Sequence, residues 1–411
     1  MVLSDRQPSP GAPSFRPGRP LLVVFLTVVL DLVGFGIVIP LMTFYAESFN
    51  ATGVQVTLLM ACYSFAQFFA APLWGQLSDR VGRRPVMLVS IALTAVMLAC
   101  FASATSLTLL FVFRTLHGVM TANISTAQAC VADLTTRENR ARGMGMIGAA
   151  FGIGFTIGPF IGGELSQVSL TAPLWLAAGL SALNFFLALA FLPETRHAGS
   201  SVAHRPINPT ALLEAVRNPK LGLCILLVFV QVFAFALMES TFTLFAEHEH
   251  GLRPQDVGRL FGLVGIIGIV VQGGLIGRIV QRFGEGPLVP VGLGLLSVAI
   301  LCLPLVPLGA ALMTVFGVIA VGQGLANPSL QAIISKGASA EEQGSVLGSA
   351  QSMSALARAT GPALGGLLFD KVGHGTPFYA AGALLALGVG LAFPAVRRAT
   401  AGALGPTSSR S

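Results

Sequence analysis

Residues 75–87 read GQLSDRVGRRPVM, a polar turn in which Asp79, Arg80, Arg83 and Arg84 stand between two long apolar runs. Only 10% of the chain is charged, yet four charges fall within six residues here. The flanking runs, 54–74 and 85–106, are each about 20 residues long, enough for a helix to cross a hydrocarbon core of ~30 Å. The stretch therefore reads as a tight turn at a membrane surface. Gly75 and Gly82 permit close backbone approach or positive φ. Asp79 is placed to accept from the arginines or from the N–H groups that open the next helix, and Pro85 suits that helix's first turn.

Composition extends the reading. With 54% hydrophobic residues, 48 glycines and a mean hydropathy of +0.79, the 411 residues cannot form a soluble domain with a polar surface. A net charge of +7 would suggest nucleic acid in a soluble protein, but here its distribution is that of membrane topology, and no nucleic-acid partner is implied. Cys62, Cys100, Cys130, Cys224 and Cys302 all fall inside apolar spans without paired spacing. They read as buried free thiols, with no disulfide framework, metal site or cofactor expected. A membrane enzyme would cluster His, Asp or Cys at one membrane face, and a channel would repeat a pore segment or ring its constriction with charge; the chain does neither.

Twelve apolar spans follow: 20–42, 54–77, 85–106, 108–132, 141–166, 172–193, 221–246, 256–278, 286–306, 308–335, 342–369 and 374–396. The expected fold is all-α and polytopic, with twelve transmembrane helices in two six-helix bundles, 20–193 and 221–396. A polar, proline-bearing linker at 194–220 divides them, and tails at 1–19 and 397–411 are expected to be cytoplasmic. The N-terminal tail does not read as a cleaved signal peptide, because the apolar run behind it is too long and contains Asp31. Charge supports the count. With both termini inside, nineteen of the 24 Lys and Arg lie in inside segments and only Arg253, Arg259 and Lys371 in outside loops.

The halves also repeat. At an offset of 202, Gly75, Arg80, Gly82 and Pro85 recur as Gly277, Arg282, Gly284 and Pro287, with Gln281 in the place of Asp79. At 203, Gly158-Pro159 and Gly162-Gly163 recur as Gly361-Pro362 and Gly365-Gly366. A duplicated bundle is the plan of a carrier that rocks two halves about a midplane site.

The 75–84 turn meets every position of G-x-[LM]-[SA]-D-R-x-G-R-[RK] and so resembles the signature of the major facilitator superfamily between its second and third helices. GIGFTIGPFIGG, with Gly154, Gly158, Pro159, Gly162 and Gly163, resembles the antiporter box of the superfamily's drug and proton exchangers; the alternative is plain small-residue packing. LDLVGFGIVIPLM at 30–42 resembles the first helix of the drug:proton antiporters with twelve spans, tetracycline exporters included. Arg114 with Gly118 fits the family's R-x-x-x-G box. The resemblance implies proton-coupled export of small amphipathic or hydrophobic compounds by alternating access, by a functional monomer in a bacterial inner membrane. The alternative is a proton-linked transporter of a sugar or other metabolite. Where tetracycline exporters carry a span 8 histidine and a span 9 aspartate, this chain has Gly268 and Leu296, which weakens tetracycline itself as the substrate.

Ionisable groups in hydrocarbon cost roughly 2.5 kcal/mol or more each and need a cavity or a partner. Four candidates for proton coupling stand out. Asp31 is either a proton carrier or a packing anchor. Arg114 is implied by the family to assist proton transfer, or else is a static counter-ion. Glu239 is a proton carrier or a hydrated group near the outer mouth, and Arg358 its prospective partner. Phe35, Phe65, Phe235, Gln67, Asn123 and Gln231 are candidates to line a substrate cavity, as are Phe68, Phe233 and Phe242. His117, beside Gly118, reads as a proton relay or a satisfied interior histidine.

Overall fold

The computed structural model describes residues 18–121, 123–136, 139–195, 216–338 and 343–401. Most of the expected cytoplasmic tails, most of the linker and Arg137 therefore lie outside the described residues. What is described is helical, with no strand among those residues.

The first six spans are α1 (Arg19–Val38, carried past Pro40 by Leu41–Glu47), α2 (Gly53–Val81), α3 (Arg83–Ala102), α4 (Leu107–Met120, resuming as Asn123–Leu134), α5 (Arg140–Leu165) and α6 (Ala172–Phe191). The second six are α7 (Gly222–His250), α8 (Pro254–Val270, a π-turn at Val271–Leu275, then Ile276–Phe283), α9 (Leu288–Cys302, closed by the 3-10 turn Leu303–Leu305), α10 (Ala310–Gly337), α11 (Gln343–Lys371) and α12 (Thr376–Ala401). Ten of these are long and apolar enough by themselves to span a bilayer. The other two are α8, which the π-turn interrupts, and α11, whose serines, glutamines and Arg358 dilute its hydropathy. Several ends differ from the sequence reading. The α8 helix runs on to Phe283 because its last turns are amphipathic, with Arg278 and Arg282 beyond the apolar stretch, and α12 continues to Ala401 through Arg397 and Arg398.

Within the first half, α1 packs on α5 and α6, α3 on α6, and α2 on α4; within the second, α7 packs on α11 and α12, and α9 on α10 and α12. The halves meet along two seams, α2 against α11 and α5 against α8. The close inter-bundle contacts lie toward the end of the molecule opposite the 75–87 turn, here called the far face. They include Asp370 Oδ2 accepting from the Val54 N–H at 2.8 Å and the Arg259 to Glu164 pair at 2.6 Å. The bundles are thus in direct contact at the far face.

The duplication extends to backbone geometry. Gly82 ends α2 at φ +115°, and Gly284 ends α8 at φ +75°, each donating its N–H four residues back, to Ser78 and Val280. Only glycine takes such angles without strain, so both turns are cut at the same place. Of the five cysteines, Cys130 and Cys224 are buried as expected, whereas Cys62, Cys100 and Cys302 are half-buried.

Candidate functional site

The α4 helix breaks at mid-depth. Thr121 is extended (φ −86°, ψ 104°), which leaves the last carbonyls of Leu107–Met120 without helical partners. Side chains replace them: Thr121 Oγ1 donates to the His117 carbonyl (2.7 Å), Trp74 Nε1 to Val119 (2.6 Å) and Ser90 Oγ to Met120 (2.8 Å). The helix restarts at Asn123, whose Nδ2 donates to Asp31 Oδ1 at 2.7 Å. Asp31 is 9% exposed and Asn123 fully buried. Asn123 is therefore the hydrogen-bond partner of the intramembrane acid.

Arg114 is 4% exposed and, among the described residues, has no carboxylate within ion-pair distance. Its guanidinium carbon instead lies 4.4 Å from the Tyr63 ring centre and 5.7 Å from that of Phe35. Cation–π contact in a dry setting contributes about 2 kcal/mol, part of the compensation a buried guanidinium needs. Phe35 packs on Tyr63 at 5.4 Å and Phe155 at 6.0 Å, and His117 meets Tyr63 edge-on at 5.1 Å.

Tyr63 was not among the sequence candidates, yet three of the four ionisable groups lie within its electrostatic reach. It lies within electrostatic reach of Asp31 and Arg114 in its own bundle and of Arg358 in the other. Arg358 is in turn within reach of Glu239, although the two make no direct ion pair. Arg358 is exposed in the middle of α11 and Glu239 half-buried in the middle of α7. The signal available in the sequence was rarity: the chain has three tyrosines, and this one sits in an apolar span.

Other candidates move. Phe65 is 56% exposed and shares a stripe with Leu58, Phe69 and Leu73 on the side of α2 opposite Tyr63. Gln231 is buried and donates to Gln323 Oε1 at 2.9 Å, joining α7 to α10. Phe242 is fully buried against Phe261 and Phe316. Phe235 packs partly buried against the core, and Gln67 is half-buried one turn from Tyr63 on its face. Leu296, at the position aligned with an exporter aspartate, is buried core.

The turn organises one bundle. Asp79 pairs with Arg83 at 2.6 Å; Arg83 also reaches Ser78 (2.7 Å) and Asp133 (3.3 Å), and Arg84 donates to the Leu189 carbonyl (2.8 Å). The N–H groups that open α3 are not capped by Asp79. Glu194, from beyond α6, accepts them from Arg83 at 3.0 Å and Arg84 at 3.2 Å. A side chain on Gly82 would collide with that carboxylate at 2.6 Å. Glu194→Ala is expected to fray the start of α3 and to destabilise the bundle by about 1 kcal/mol, the usual worth of a lost cap. Hydrogen exchange at residues 83–86 checks this: unchanged protection there means that Glu194 is not the cap.

The second-half turn keeps a simpler pair, Lys336 with Glu285, and the ammonium holds that carboxyl below the usual carboxylate range.

The GIGFTIGPFIGG glycines serve two surfaces. A Cβ on Gly154, Gly158 or Gly162 would strike the α1 backbone or Leu32 at 2.5–2.7 Å, so this row seats α5 on α1. A Cβ on Gly163, one residue on, would instead lie 3.0 Å from the Gly258 Cα of α8 across the far-face seam. Its repeat, Gly366, meets Val54 and Thr57 of α2, whereas Gly361 and Gly365 face α7. Pro159 lies against Gly36.

The sequence profile of the Major Facilitator Superfamily matches residues 24–362 and 275–410. Multidrug resistance protein 2 of Bacillus subtilis is 29% identical over 387 residues, covering 92% of this chain and 96% of that protein. Tetracycline resistance protein, class C, of Escherichia coli is 30% identical over 353 residues, covering 84% and 89%. The crystal structure of the human organic anion transporter MFSD10 superposes with a TM-score of 0.73 at 26% identity, over 92% of this chain and all of that one.

Proposed function

This chain belongs to the major facilitator superfamily, and on that premise we propose that it is a proton-coupled exporter of small amphipathic or hydrophobic compounds working by alternating access. The turn face is cytoplasmic, in keeping with the positive charge the sequence concentrates there, and the far face opens outward in the other half of the cycle. One observation supports the reading above others. Asp31 and Arg114 of one bundle and Arg358 of the other lie within electrostatic reach of Tyr63, and Glu239 lies within reach of Arg358. An acid in that position sheds or takes a proton according to which side the rocking bundles expose. Relatives bearing multidrug and tetracycline resistance names support efflux as the direction. Phe35, Tyr63 and Phe155 offer aromatic surface to an amphipathic solute. The carrier works as a monomer, since both bundles of one chain supply the site.

The test is flux in proteoliposomes. An imposed proton gradient should drive an amphipathic dye opposite to the protons, and collapse of the gradient should stop it. Dye moving with the protons would indicate the metabolite symporter instead.

A further inference from the structure

The hydrogen bond that holds Asp31 has a counterpart in the second bundle. A Cβ on Gly158 or Gly162 would meet the Val33 or Ile37 carbonyl of α1, and one on their repeats, Gly361 and Gly365, the Phe233 or Leu237 carbonyl of α7. Residues of α1 therefore fall on those of α7 at an offset of 200, which sets Asp31 on Gln231. Asn123 donates to Asp31 across 92 residues of chain, and Gln231 donates to Gln323 across the same 92. Each bundle thus ties its first helix to its fourth at one matching place, by an acid and an amide in the first half and by two amides in the second. The α10 helix runs unbroken through Gln323, whereas α4 restarts at Asn123.

The acid and amide leave one atom over. Asn123 is fully buried, and while its Nδ2 donates to Asp31 Oδ1 at 2.7 Å, its Oδ1 has no hydrogen-bond partner among the described residues. Native interiors seldom leave a buried carbonyl oxygen without a donor. Ionised Asp31 offers only acceptors and cannot serve it; protonated Asp31 gains an O–H that needs an acceptor. The neighbouring helices bring few other ionisable groups. Tyr63 of α2 lies against Arg114 and His117 of α4, and a guanidinium accepts nothing. The α6 helix carries no ionisable residue, α5 is charged only in its first and last turns, and α1 has only Arg19 and, at the far end of its continuation, Glu47.

We propose that Asn123 is the positioning residue for the Asp31 proton, its orphaned Oδ1 being the acceptor that the protonated acid uses. A carboxylic acid beside a primary amide closes two antiparallel hydrogen bonds: Nδ2 goes on donating to Asp31 Oδ1, and the new O–H on Asp31 Oδ2 donates to Asn123 Oδ1. The proton arrives from water admitted to the site and leaves by the same route, and no covalent bond of Asn123 is made or broken. The inference rests on the reading of Asp31 as the coupling acid. Its consequence lies in α4. Asn123 opens the second segment of that helix, beside the extended Thr121, where backbone bonds are fewest. Ionised Asp31 holds that segment to α1 by one bond and protonated Asp31 by two, so the proton is read at the break. Gln231 and Gln323 form the same tie without an acid, and the second bundle's tie is the same at every pH.

The experiment uses the full chain in nanodiscs, with asparagine isotopically labelled at its side-chain carbonyl carbon. Infrared difference spectra are taken between about pH 8 and pH 5, a range that spans carboxyl groups held in dry surroundings, with neither gradient nor substrate present. The acid carbonyl band that grows at low pH is assigned to Asp31 by its loss in Asp31→Asn. In step with it, the labelled amide band should shift to lower wavenumber, because accepting an O–H weakens the carbonyl bond. That shift should vanish in Asp31→Asn and in Asn123→Leu. Gln323→Leu, which removes the matching tie in the second bundle, should leave both bands as in wild type. An amide band that stays in place while Asp31 takes up its proton, one that moves equally in Asp31→Asn, or no Asp31 band at all overturns the proposal. Failure of the exporter reading would show elsewhere, as absent proton-driven flux with the paired bands intact.

Discussion

Replacing Asp31 with asparagine should leave a folded protein that no longer exports against a gradient. The substitution keeps size, and its amide oxygen still accepts from Asn123 Nδ2, the 2.7 Å contact that now holds the carboxylate. Exchanging a charge-assisted hydrogen bond for a neutral one costs about 1–2 kcal/mol, and removal of a charge from the interior offsets part of it. What asparagine cannot do is exchange a proton. Gradient-driven flux should therefore fall to the rate of passive leak, while downhill counterflow of unlabelled for labelled substrate persists. Counterflow separates this from misfolding. Full driven export by Asp31→Asn would remove Asp31 from the coupling machinery and leave Glu239 as the acid to pursue.

Replacing Gly366 with leucine should trap the carrier open at the far face. Even a bare Cβ at this position would lie 1.9 Å from Thr57 Oγ1 and 3.0 Å from the Val54 Cα, both across the seam. The α2 backbone cannot yield there without leaving α11, and the Val54 N–H bond to Asp370 lies in the same contact. Overpacking costs typically 1–3 kcal/mol, and each 1.4 kcal/mol is tenfold in a population, so closure should weaken by about tenfold to a hundredfold. Gly163→Leu, at the other seam against Gly258, should act alike, because each glycine is the one that crosses between bundles. Gly158→Leu supplies the contrast. It collides with Gly36 of its own bundle at 2.7 Å and should lower folding yield without selecting a conformation. Reagent access to a cysteine placed at Thr57 distinguishes the outcomes: it should rise in Gly366→Leu and stay low in wild type. Equal access in both would mean that the seam closes by other contacts.

The spans, the duplication, the turn and the four intramembrane ionisable groups were legible in the amino-acid sequence, because each depends on properties a residue has wherever it lies. Hydropathy over about 20 residues decides what crosses a membrane, glycine at 82 and 284 decides where a helix can be cut, and the cost of charge in hydrocarbon singles out Asp31, Arg114, Glu239 and Arg358. What only the tertiary structure decided depends on partners distant in the chain or on helical register. The cap of α3 comes from Glu194, 111 residues after Arg83, and nothing local distinguishes that carboxylate from Asp79. Gly162 and Gly163 are neighbours with the same chemistry, yet a rotation of about 100° turns one to α1 and the other to the opposite bundle. Two such steps, about 200°, turn Phe65 to the exposed side of α2 and Tyr63 onto Arg114, since a helix separates by angle the residues that a sequence sets close together.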